Sequence, residues 1–514
     1  MARFKHTDNA QSMFLTVNLK EQLLVGTFEW TINHLIDKVD ISVFAENYKN
    51  DEMGAAAYSP RVLLKAIFYC YSSGILSSRK IEKACQENMT VKALAENTEP
   101  DHATIAAFVS THEDAVSDLF TQILLQCAQL GLITGEMFAG DGCKLPSNAS
   151  KEWSGSIKDL KKKRDKLNEY IKRMVALHKE LDKDKAAKEK LDRFRQTMGE
   201  DKERREKSIE RLEKKLEKLN TFLEQAKPRI GAAGAEVQSN ITDNESAKIK
   251  GPHGYIQGYN AVTMADSSNQ VIICADVIGS VSESSKFPKM LDDLEKNMKE
   301  VTGKKKPLKN AIVEGDTGFF SEENLQEAAK RKIEVLIPDP QFRKRDQHFD
   351  DTKGRAKKKR FTVEDFTYDK NTDSWTCPGG KKLELKCHVT LRNTTGRQYR
   401  AKSADCRNCS LVKKCINVRS ESKKLLRTLF IADKKHKESL SDKMREKIDD
   451  HVNRELYSRR MQIIEPVFSH ITYFKGMDKF TLRTERKVRI QWLLYCIVHN
   501  MWKCIKPLTV KHGN

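Results

Sequence analysis

The feature of this 514-residue chain that most limits its fold is a pattern that occurs twice: a short apolar run, then Gly-Asp, then a turn. The first copy is MFAGD at residues 137–141, and the second is AIVEGD at residues 311–316. Each run has the length of a buried strand, so each copy predicts a strand that ends in one carboxylate. Because a single strand-end Asp more often caps a turn, a functional interpretation needs a third carboxylate in a matching setting.

The segments between and after the two copies predict the rest of an α/β fold. Strands are predicted at residues 255–262, 271–277 and 334–338, and helices at about 288–301, 324–331 and 442–505. The resulting order is a strand with Asp141, two antiparallel strands, a helix, a strand with Asp316, and a closing helix with Glu465. That is the chain order of an RNase H-like domain, here built from residues 134–156, 240–340 and 442–506.

Asp141, Asp316 and Glu465 are the candidate catalytic residues and metal ligands. Mg²⁺ and Mn²⁺ take oxygen ligands, and two such ions can bind the attacking and leaving oxygens of a phosphodiester. Structural alternatives remain for each carboxylate: Asp316 could cap the following turn, and Glu465 could be a surface residue before Pro466.

The charge of the chain favours a polyanionic partner. Lys and Arg total 93 against 72 Asp and Glu, which gives a formal net charge of +21. Nucleic acid fits such a balance best, although a basic protein that only needs solubility has the same composition. The N-terminus lacks a signal-peptide pattern, and the chain has no apolar run of 18 residues, so we expect a soluble, intracellular protein without a membrane partner.

Residues 1–133 are predicted to form an all-helical, helix-turn-helix-like DNA-binding domain, since apolar residues recur at helical spacing from about residue 17 to 130. Ser78, Arg79 and Lys80 begin one of its helices. Their hydroxyl, their cations and the helix N-terminus could contact DNA phosphates. An ordinary capped, solvated helix start explains the same residues.

Residues 157–227 predict a helical coiled-coil insert, because apolar residues fall on a and d positions in a charge-dense segment that is nearly free of Pro and Gly. The hairpin turns somewhere between Asp182 and Asp201. Its apolar stripe indicates packing, and its basic faces are either solvated or follow DNA.

Residues 341–441 are predicted to be an irregular, basic, cysteine-rich insert. Cys406 and Cys409 have CxxC spacing, and with Cys377 and Cys415 they form a possible Cys₄ site for structural Zn²⁺. Zinc would explain how a Lys-rich insert with few apolar residues folds. The alternative is a reduced or redox-labile loop.

At these residues the chain resembles the DDE transposases of bacterial insertion sequences, and most closely their IS1182-like group within the IS4/IS5-type superfamily. The resembling stretches cover most of the chain in order. They are GDGCKL at 140–145 with NAS at 148–150, YNAV at 259–262, EGDTGFFS at 314–321, residues 457–468, and HN at 499–500.

The resemblance implies metal-dependent cleavage at element ends and attack of the freed 3′-hydroxyl on target DNA. It assigns Asp141 and Asp316 as shared ligands of Mg²⁺ or Mn²⁺ and Glu465 as the third, with Lys144, Tyr457 and Arg460 as DNA contacts. It also implies terminal inverted repeats and target DNA as partners, homo-oligomers on paired ends, and a cytoplasmic, nucleoid-associated location.

The chain departs from the family pattern after Glu465. The family often has a phosphate-holding lysine seven residues later, where this chain has Thr472. Lys475 could substitute, or activity is weakened. A catalytically decayed transposase-fold protein that only binds DNA is therefore one alternative, and a related nuclease without strand transfer is another. Cys143 replaces a small hydroxyl residue, which we expect to be tolerated.

Overall fold

The computed structural model describes residues 18–46, 48, 56–183, 202–231, 234, 236–251, 254–280, 283–345, 361–391, 394–416, 425–433 and 439–512. These residues belong to two compact units. The first comprises Met1–Pro338 with Lys447–Asn514, and the second is Asp339–Glu446. The predicted turn of the coiled-coil insert lies mostly outside the described residues.

The N-terminal part of the first unit is helical, as the apolar spacing predicts. Its helices are α1 (Phe28–Lys38), α2 (Ser42–Ala45), α3 (Pro60–Ser72), α4 (Ser78–Glu87), α5 (Met89–Leu94), α6 (His102–Thr111) and α7 (Glu113–Gln129). Side-chain caps fix several of their starts: the Asp101 carboxylate, for example, accepts the N–H groups of Ala103 and Thr104 at the beginning of α6. The helices bury their apolar faces, with α3 buried along nearly its whole length.

The main sheet occupies the middle of the first unit. Its strands are β1 (Met137–Pro146), β6 (Ala247–Gly251), β7 (Gly254–Asp266), β8 (Ile272–Ile278), β9 (Ile312–Gly315) and β10 (Glu334–Leu336). The spatial order is β10-β9-β1-β7, with β6 and β8 pairing successive halves of β7. β1 is parallel to β9 and antiparallel to β7, and β9 is parallel to β10. The predicted strands are therefore present.

Helices connect and cover the main sheet. α10 (Phe287–Thr302) lies between β8 and β9 in the chain, and α11 (Glu322–Arg331) lies between β9 and β10. The C-terminal helices are α15 (Leu440–Asp449), α16 (His451–Ser458), α17 (Arg460–Ser469), α18 (Glu485–Lys503) and α19 (Ile505–His512). α17 packs on β1 and β7, and α18 packs on β8 and α7. Burial of α18 side chains such as Trp492 and Tyr495 stabilises this layer by roughly 2 kcal/mol each.

The coiled-coil insert consists of two long helices, α8 (Ile157–Lys183) and α9 (Lys202–Gln225), which pack together through Met174 and Ile209. Two small ladders accompany them: β2 (Ser154–Gly155) with β5 (Ser239–Asn240), and β3 (Arg229–Ile230) with β4 (Glu236–Val237). The apolar a/d stripe is thus used for packing.

The second unit contains an antiparallel sheet that the sequence analysis did not predict. Its elements are α12 (Phe342–Arg345), β11 (Thr367–Asp369), β12 (Ser374–Thr376), β13 (Lys382–Leu391), β14 (Thr394–Ala401), α13 (Ser403–Arg407), α14 (Val412–Cys415) and β15 (Thr428–Ala432). The five strands pair in chain order. The prediction of an irregular insert was therefore wrong. The strands form because residues such as those of β13 alternate between apolar and polar, so that Leu383 is buried in the core and Glu384 is exposed.

No helix in the described part of the chain combines the length and the apolar character that crossing a bilayer requires.

Candidate functional site

Asp141 and Asp316 lie side by side where β1 and β9 stop pairing. Asp316 directly follows β9, as predicted, but β1 continues to Pro146, so the predicted strand end and turn at Asp141 were wrong. The strand continues because residues 141–146 pair with β7. These strands are parallel, and Gly140 is paired with Gly315, so each aspartate comes one residue after a paired glycine. The two copies of the apolar-Gly-Asp pattern are therefore neighbours in space, as parallel strands allow.

Arg460 joins the two aspartates from the helix above them. Its guanidinium donates to Asp141 Oδ2 through Nη1 at 2.7 Å, and its Nη2 lies 3.9 Å from Asp316 Oδ1. The Arg460 side chain is only 8% exposed. A buried guanidinium is costly unless it is paired, so these contacts explain why it is tolerated at the first position of α17. In this structure Arg460 contacts carboxylates, whereas the sequence predicted a DNA contact.

The electrostatics of Asp141 reflect competing neighbours. Burial raises the pKa of its carboxyl, Arg460 lowers that pKa, and the nearby Asp316 raises it again, with a net increase. The backbone N–H of Gly142 also donates to Asp141 Oδ1 at 2.7 Å. An added positive charge at this place would therefore favour the ionised carboxylate.

Glu465 is exposed and lies on α17, five residues after Arg460. Its charge acts on Cys143 of β1: burial, Asp141 and Glu465 together raise the pKa of the Cys143 thiol to about 12. Glu465 is thus close enough to the Asp141 side of β1 to influence the same thiol. We use the name acidic site for the carboxylates Asp141, Glu283, Asp316 and Glu465 together with Arg460, which contacts two of them.

Glu283 is a member of this site that the sequence analysis missed. Asn260 Nδ2 donates to its Oε1, and its Oε2 is buried without a hydrogen-bond partner among the residues that the structure describes. Burial raises the pKa of Glu283, and Asp141 and Asp316 contribute to the increase. No periodic pattern marks this residue, which lies in the connection between β8 and α10.

Glu314 lies in β9, two residues before Asp316, and belongs to the resembling stretch EGDTGFFS. It is fully buried, and in the described part of the chain neither carboxyl oxygen has a hydrogen-bond partner. Burial raises the pKa of Glu314 to about 8, against the opposing effects of Arg460 and Arg459. A buried carboxyl of this kind is mainly protonated at neutral pH, so Glu314 adds little charge to the site.

The chemical type of the acidic site fits a hard divalent cation, because its donors are carboxylate oxygens and one of them is buried and unpartnered. Asp141, Asp316 and Glu465 are the residues that could hold such an ion. Among the residues that the structure describes, however, no group of three or more His, Cys, Asp or Glu side chains is close enough to hold a metal ion. Arg460 is the cation that Asp141 and Asp316 share here.

The remaining predicted DNA contacts differ in their surroundings. The Tyr457 ring lies beneath Arg460, with the guanidinium carbon 5.6 Å from the ring centroid. Lys144 is exposed on β1, in register with Asn260 of β7. Tyr457 is therefore adjacent to the acidic site, and Lys144 is open to solvent on the strand that contains Asp141.

The predicted contacts of the helical region lie at the start of α4. Ser78 is half-buried, and Arg79 and Lys80 are exposed. Ser78 lines a cavity of about 520 Å³ together with Ser147 and Asn148, which directly follow β1. The α4 N-terminus is therefore near the end of the strand that bears Asp141, although the cavity itself has mixed polar and apolar walls.

Thr472, which stands where the family often has a lysine, and its possible substitute Lys475 both contact other parts of the protein. The Thr472 hydroxyl donates to the carbonyl of Phe468 at 2.8 Å. Lys475 Nζ lies over the Trp502 ring, 3.0 Å from its centroid, and burial lowers the pKa of Lys475 to about 8. The Lys475 ammonium therefore contacts an aromatic face in this structure, which is not the arrangement expected of a substitute phosphate-holding lysine.

In the second unit, the four predicted zinc ligands lie near one another. A Cβ built at Gly379 would lie 3.4 Å from Cys409 Sγ and 3.7 Å from Cys377 Sγ. Burial raises the pKa of Cys415, and Cys406, Cys377 and Cys409 act on the same thiol. The Lys381 N–H donates to Cys377 Sγ at 3.3 Å, and all four cysteines are free thiols. The thiols are near one another but do not form a set with metal-binding geometry.

Comparison with protein families identifies two segments. Residues 17–111 match the family described as "Transposase domain (DUF772)", and residues 376–505 match the family described as "Transposase DDE domain". The second match includes Glu465 and the four clustered cysteines and begins after Asp141 and Asp316. Among curated proteins, none matches this chain. The two family matches, one at each end of the chain, support a DDE transposase.

Proposed function

We propose that this protein uses Mg²⁺ or Mn²⁺ to cleave DNA at the ends of an insertion sequence and joins the freed 3′-hydroxyl to target DNA, as a member of the IS1182-like group. The observation that carries the proposal is the pairing of Asp141 and Asp316 on adjacent parallel strands, beneath the helix that contains Glu465. The family matches support transposition as the overall process.

The topology supports an RNase H-like catalytic domain. On one side, the central strand β1 pairs with the antiparallel β7, which in turn pairs antiparallel with β8; on the other side are the parallel β9 and β10. This arrangement puts the two Gly-Asp segments together and lets a late helix cover them. The coiled-coil insert and the cysteine-rich insert then interrupt one catalytic fold.

In the proposed mechanism, Asp141 and Asp316 hold the divalent ions jointly and Glu465 completes the ligand set. When bound, such ions activate the attacking oxygen and stabilise the leaving oxygen of a phosphodiester. Arg460 is displaced from the carboxylates and is then free to contact a DNA phosphate, with Tyr457 stacked beneath it. Lys144, Ser78, Arg79 and Lys80 contact phosphates farther along the DNA, and a homo-oligomer holds paired ends.

The proposed location follows from this function. A protein that binds inverted repeats and target DNA is expected to associate with the chromosome in the cytoplasm, and its net charge of +21 favours that association.

A cleavage assay tests the proposal. Purified protein is incubated with Mg²⁺, a duplex ending in the inverted repeats that flank its gene, and a target plasmid. We expect nicked and joined products from the wild type, and neither product from Asp141→Ala, Asp316→Ala or Glu465→Ala, while DNA binding persists. Glu300→Gln, an exposed change on α10, is the matched control and should react as the wild type does. Undiminished cleavage by the three variants would refute the catalytic assignment.

The same assay separates the alternatives. Binding without nicking identifies a decayed transposase-fold DNA-binding protein, which the contacts of Thr472 and Lys475 favour. Nicking without joining identifies a nuclease that lacks strand transfer. The intact acidic residues favour the active enzyme over both.

The second unit is proposed to bind one structural Zn²⁺ through Cys377, Cys406, Cys409 and Cys415. Thiolates at CxxC spacing chelate tetrahedral Zn²⁺, and the four thiols are close enough for three of them to act on the fourth, Cys415. Metal analysis of protein purified without chelators should find about one zinc per chain. Protein without zinc would refute this proposal and leave the proposed transposition untouched.

A further inference from the structure

The carboxylate of Glu283 lies close to the chain segments that contain Asp141 and Asp316. A Cβ built at Gly142, next to Asp141 in β1, would be 2.8 Å from Glu283 Oε1. A Cβ built at Gly318, two residues after Asp316, would be 3.4 Å from Glu283 Oε2. Glycine at both positions thus leaves room for this carboxylate, which lies near enough to both aspartates for their charges to act on it.

The oxygen atoms around this space have fewer partners than buried oxygens normally have. Among the described residues, Glu283 Oε2 is buried and has no hydrogen-bond partner, and the same holds for Asn260 Oδ1, whose amide nitrogen donates to Glu283 Oε1. An unpaired buried carboxylate oxygen is unfavourable, so a ligand that supplies positive charge is expected here.

The excess of negative charge in the site also favours a bound cation. Asp141 and Asp316 both act unfavourably on the ionised form of Glu283. Arg460 contacts the two aspartates, and Lys144, which acts on Glu283, is exposed to solvent. Three carboxylates within mutual influence exceed the charge of one buried guanidinium, and a divalent cation with oxygen ligands would balance them.

We propose that Glu283 is a fourth metal-binding carboxylate of the acidic site and holds Mg²⁺ or Mn²⁺ together with Asp141 and Asp316. This inference rests on the proposed function, which places the metal at these aspartates. Asn260 positions the Glu283 carboxylate through its amide, so that Oε2 faces the ion. Glu465, on the covering helix, completes the site from the other side. The site then takes its ligands from strand β1, the end of strand β9, one connecting loop and one helix.

Metal binding, measured without DNA, tests the inference. Free Mn²⁺ is titrated into the full-length protein and followed by electron paramagnetic resonance. We compare the wild type with Glu283→Gln, with Asp316→Asn as the positive control and with Glu300→Gln as the matched control on exposed surface. Glu283→Gln should weaken Mn²⁺ binding by at least about 10-fold, since removing even an outer-shell partner of a metal ligand costs about 10- to 100-fold. Glu300→Gln should bind Mn²⁺ as the wild type does.

Other outcomes are decisive as well. Wild-type affinity in Glu283→Gln with weakened binding in Asp316→Asn would overturn the fourth ligand and leave the proposed function standing. Wild-type protein that binds no Mn²⁺ at millimolar concentration would overturn the inference, and the cleavage assay would judge the proposed function separately. If Glu283→Gln fails to fold, Glu283→Asp retains the charge on a shorter side chain and should bind Mn²⁺ with intermediate affinity. Unchanged affinity in Glu283→Asp and Asn260→Ala would then contradict the role of Glu283.

Discussion

The main sheet and the five-stranded sheet of the second unit are stabilised in different ways. The main sheet is surrounded by fully buried apolar residues of long helices, including Leu291 of α10 and Trp492 of α18. The core of the second sheet is a small cluster around Phe366, Leu383 and Tyr399, and Cys406 is part of it. The main sheet therefore has a large apolar core of its own, and a metal bound there would serve chemistry and not folding. In the second sheet, Cys406 of the thiol cluster belongs to the apolar core, so a metal bound there would also hold the core together.

The largest effect is expected when the thiol cluster is disabled. Zinc contributes folding free energy directly in small metal-dependent domains, so Cys406→Ser with Cys409→Ser should unfold β11–β15. Hydrogen exchange measured by mass spectrometry should show lost protection in residues 361–433 and native protection in β1 and β7. Cys387→Ser, an exposed cysteine of β13, is the control and should leave protection unchanged. Loss of protection in both sheets would show that the main sheet also depends on the thiol cluster, against the difference in stability proposed here.

A cavity in the small core should have the next largest effect. Leu383 is fully buried in the second sheet, whereas Leu385 on the same strand is 38% exposed. Leu383→Ala is expected to destabilise the sheet by about 2–5 kcal/mol, and Leu385→Ala by well under half as much. Urea unfolding followed by hydrogen exchange of β13 measures both. Equal losses would mean that the cluster around Leu383 is not the core.

Acid should weaken the main unit at the contact of α17 and α18. His499 Nε2 lies 2.9 Å from the carbonyl of Gln270, which can only accept, so His499 Nδ1 must accept the proton of His470 Nδ1, 2.9 Å away. The acceptor His499 must therefore be neutral, whereas His470 can donate from Nδ1 in either charge state. Burial, together with the charges of Lys475 and Lys503, lowers the pKa of His470 to about 4, which keeps it neutral as well. Because the unfolded state binds the proton first, stability is lost as pH falls from about 6.5 to about 4, by roughly 3 kcal/mol.

Hydrogen exchange of α17 and α18 between pH 7 and pH 4, corrected for intrinsic rates, measures that loss. His470→Gln should show a shallower dependence on pH, and His388→Gln, an exposed residue of β13, should behave as the wild type does. A pH-independent wild type would show that the two rings are not held neutral by this contact.

The sequence predicted those parts of the molecule that depend on local pattern. The two Gly-Asp strands, the helix with Glu465 and the packing stripe of the arm each have a period or a repeat, and the structure has these elements. Glu283 has no such signal, because it reaches the site only through the pairing of β1 with β7 and of β7 with β8. The contact of Arg460 with Asp141 joins residues 319 positions apart, which spacing alone does not predict. The sheet of the second unit was predictable from β13, but its basic composition obscured the alternation.

The smallest expected effect concerns the glycines beside Glu283. A Cβ at Gly142 would lie 2.6 Å from Asn260 Oδ1, whereas at Gly318 the nearest atom, Glu283 Oε2, is 3.4 Å away, an ordinary contact. The atoms that Gly142→Ala meets are the ends of side chains, which can move. The variant should therefore lose only about 1–2 kcal/mol of stability while displacing the Glu283 carboxylate. Thermal unfolding and Mn²⁺ titration of both variants measure this. Gly318→Ala should match the wild type in both measurements, and weakened Mn²⁺ binding in Gly142→Ala alone would show that the position of this carboxylate, and not only its charge, sets the affinity of the main sheet for metal.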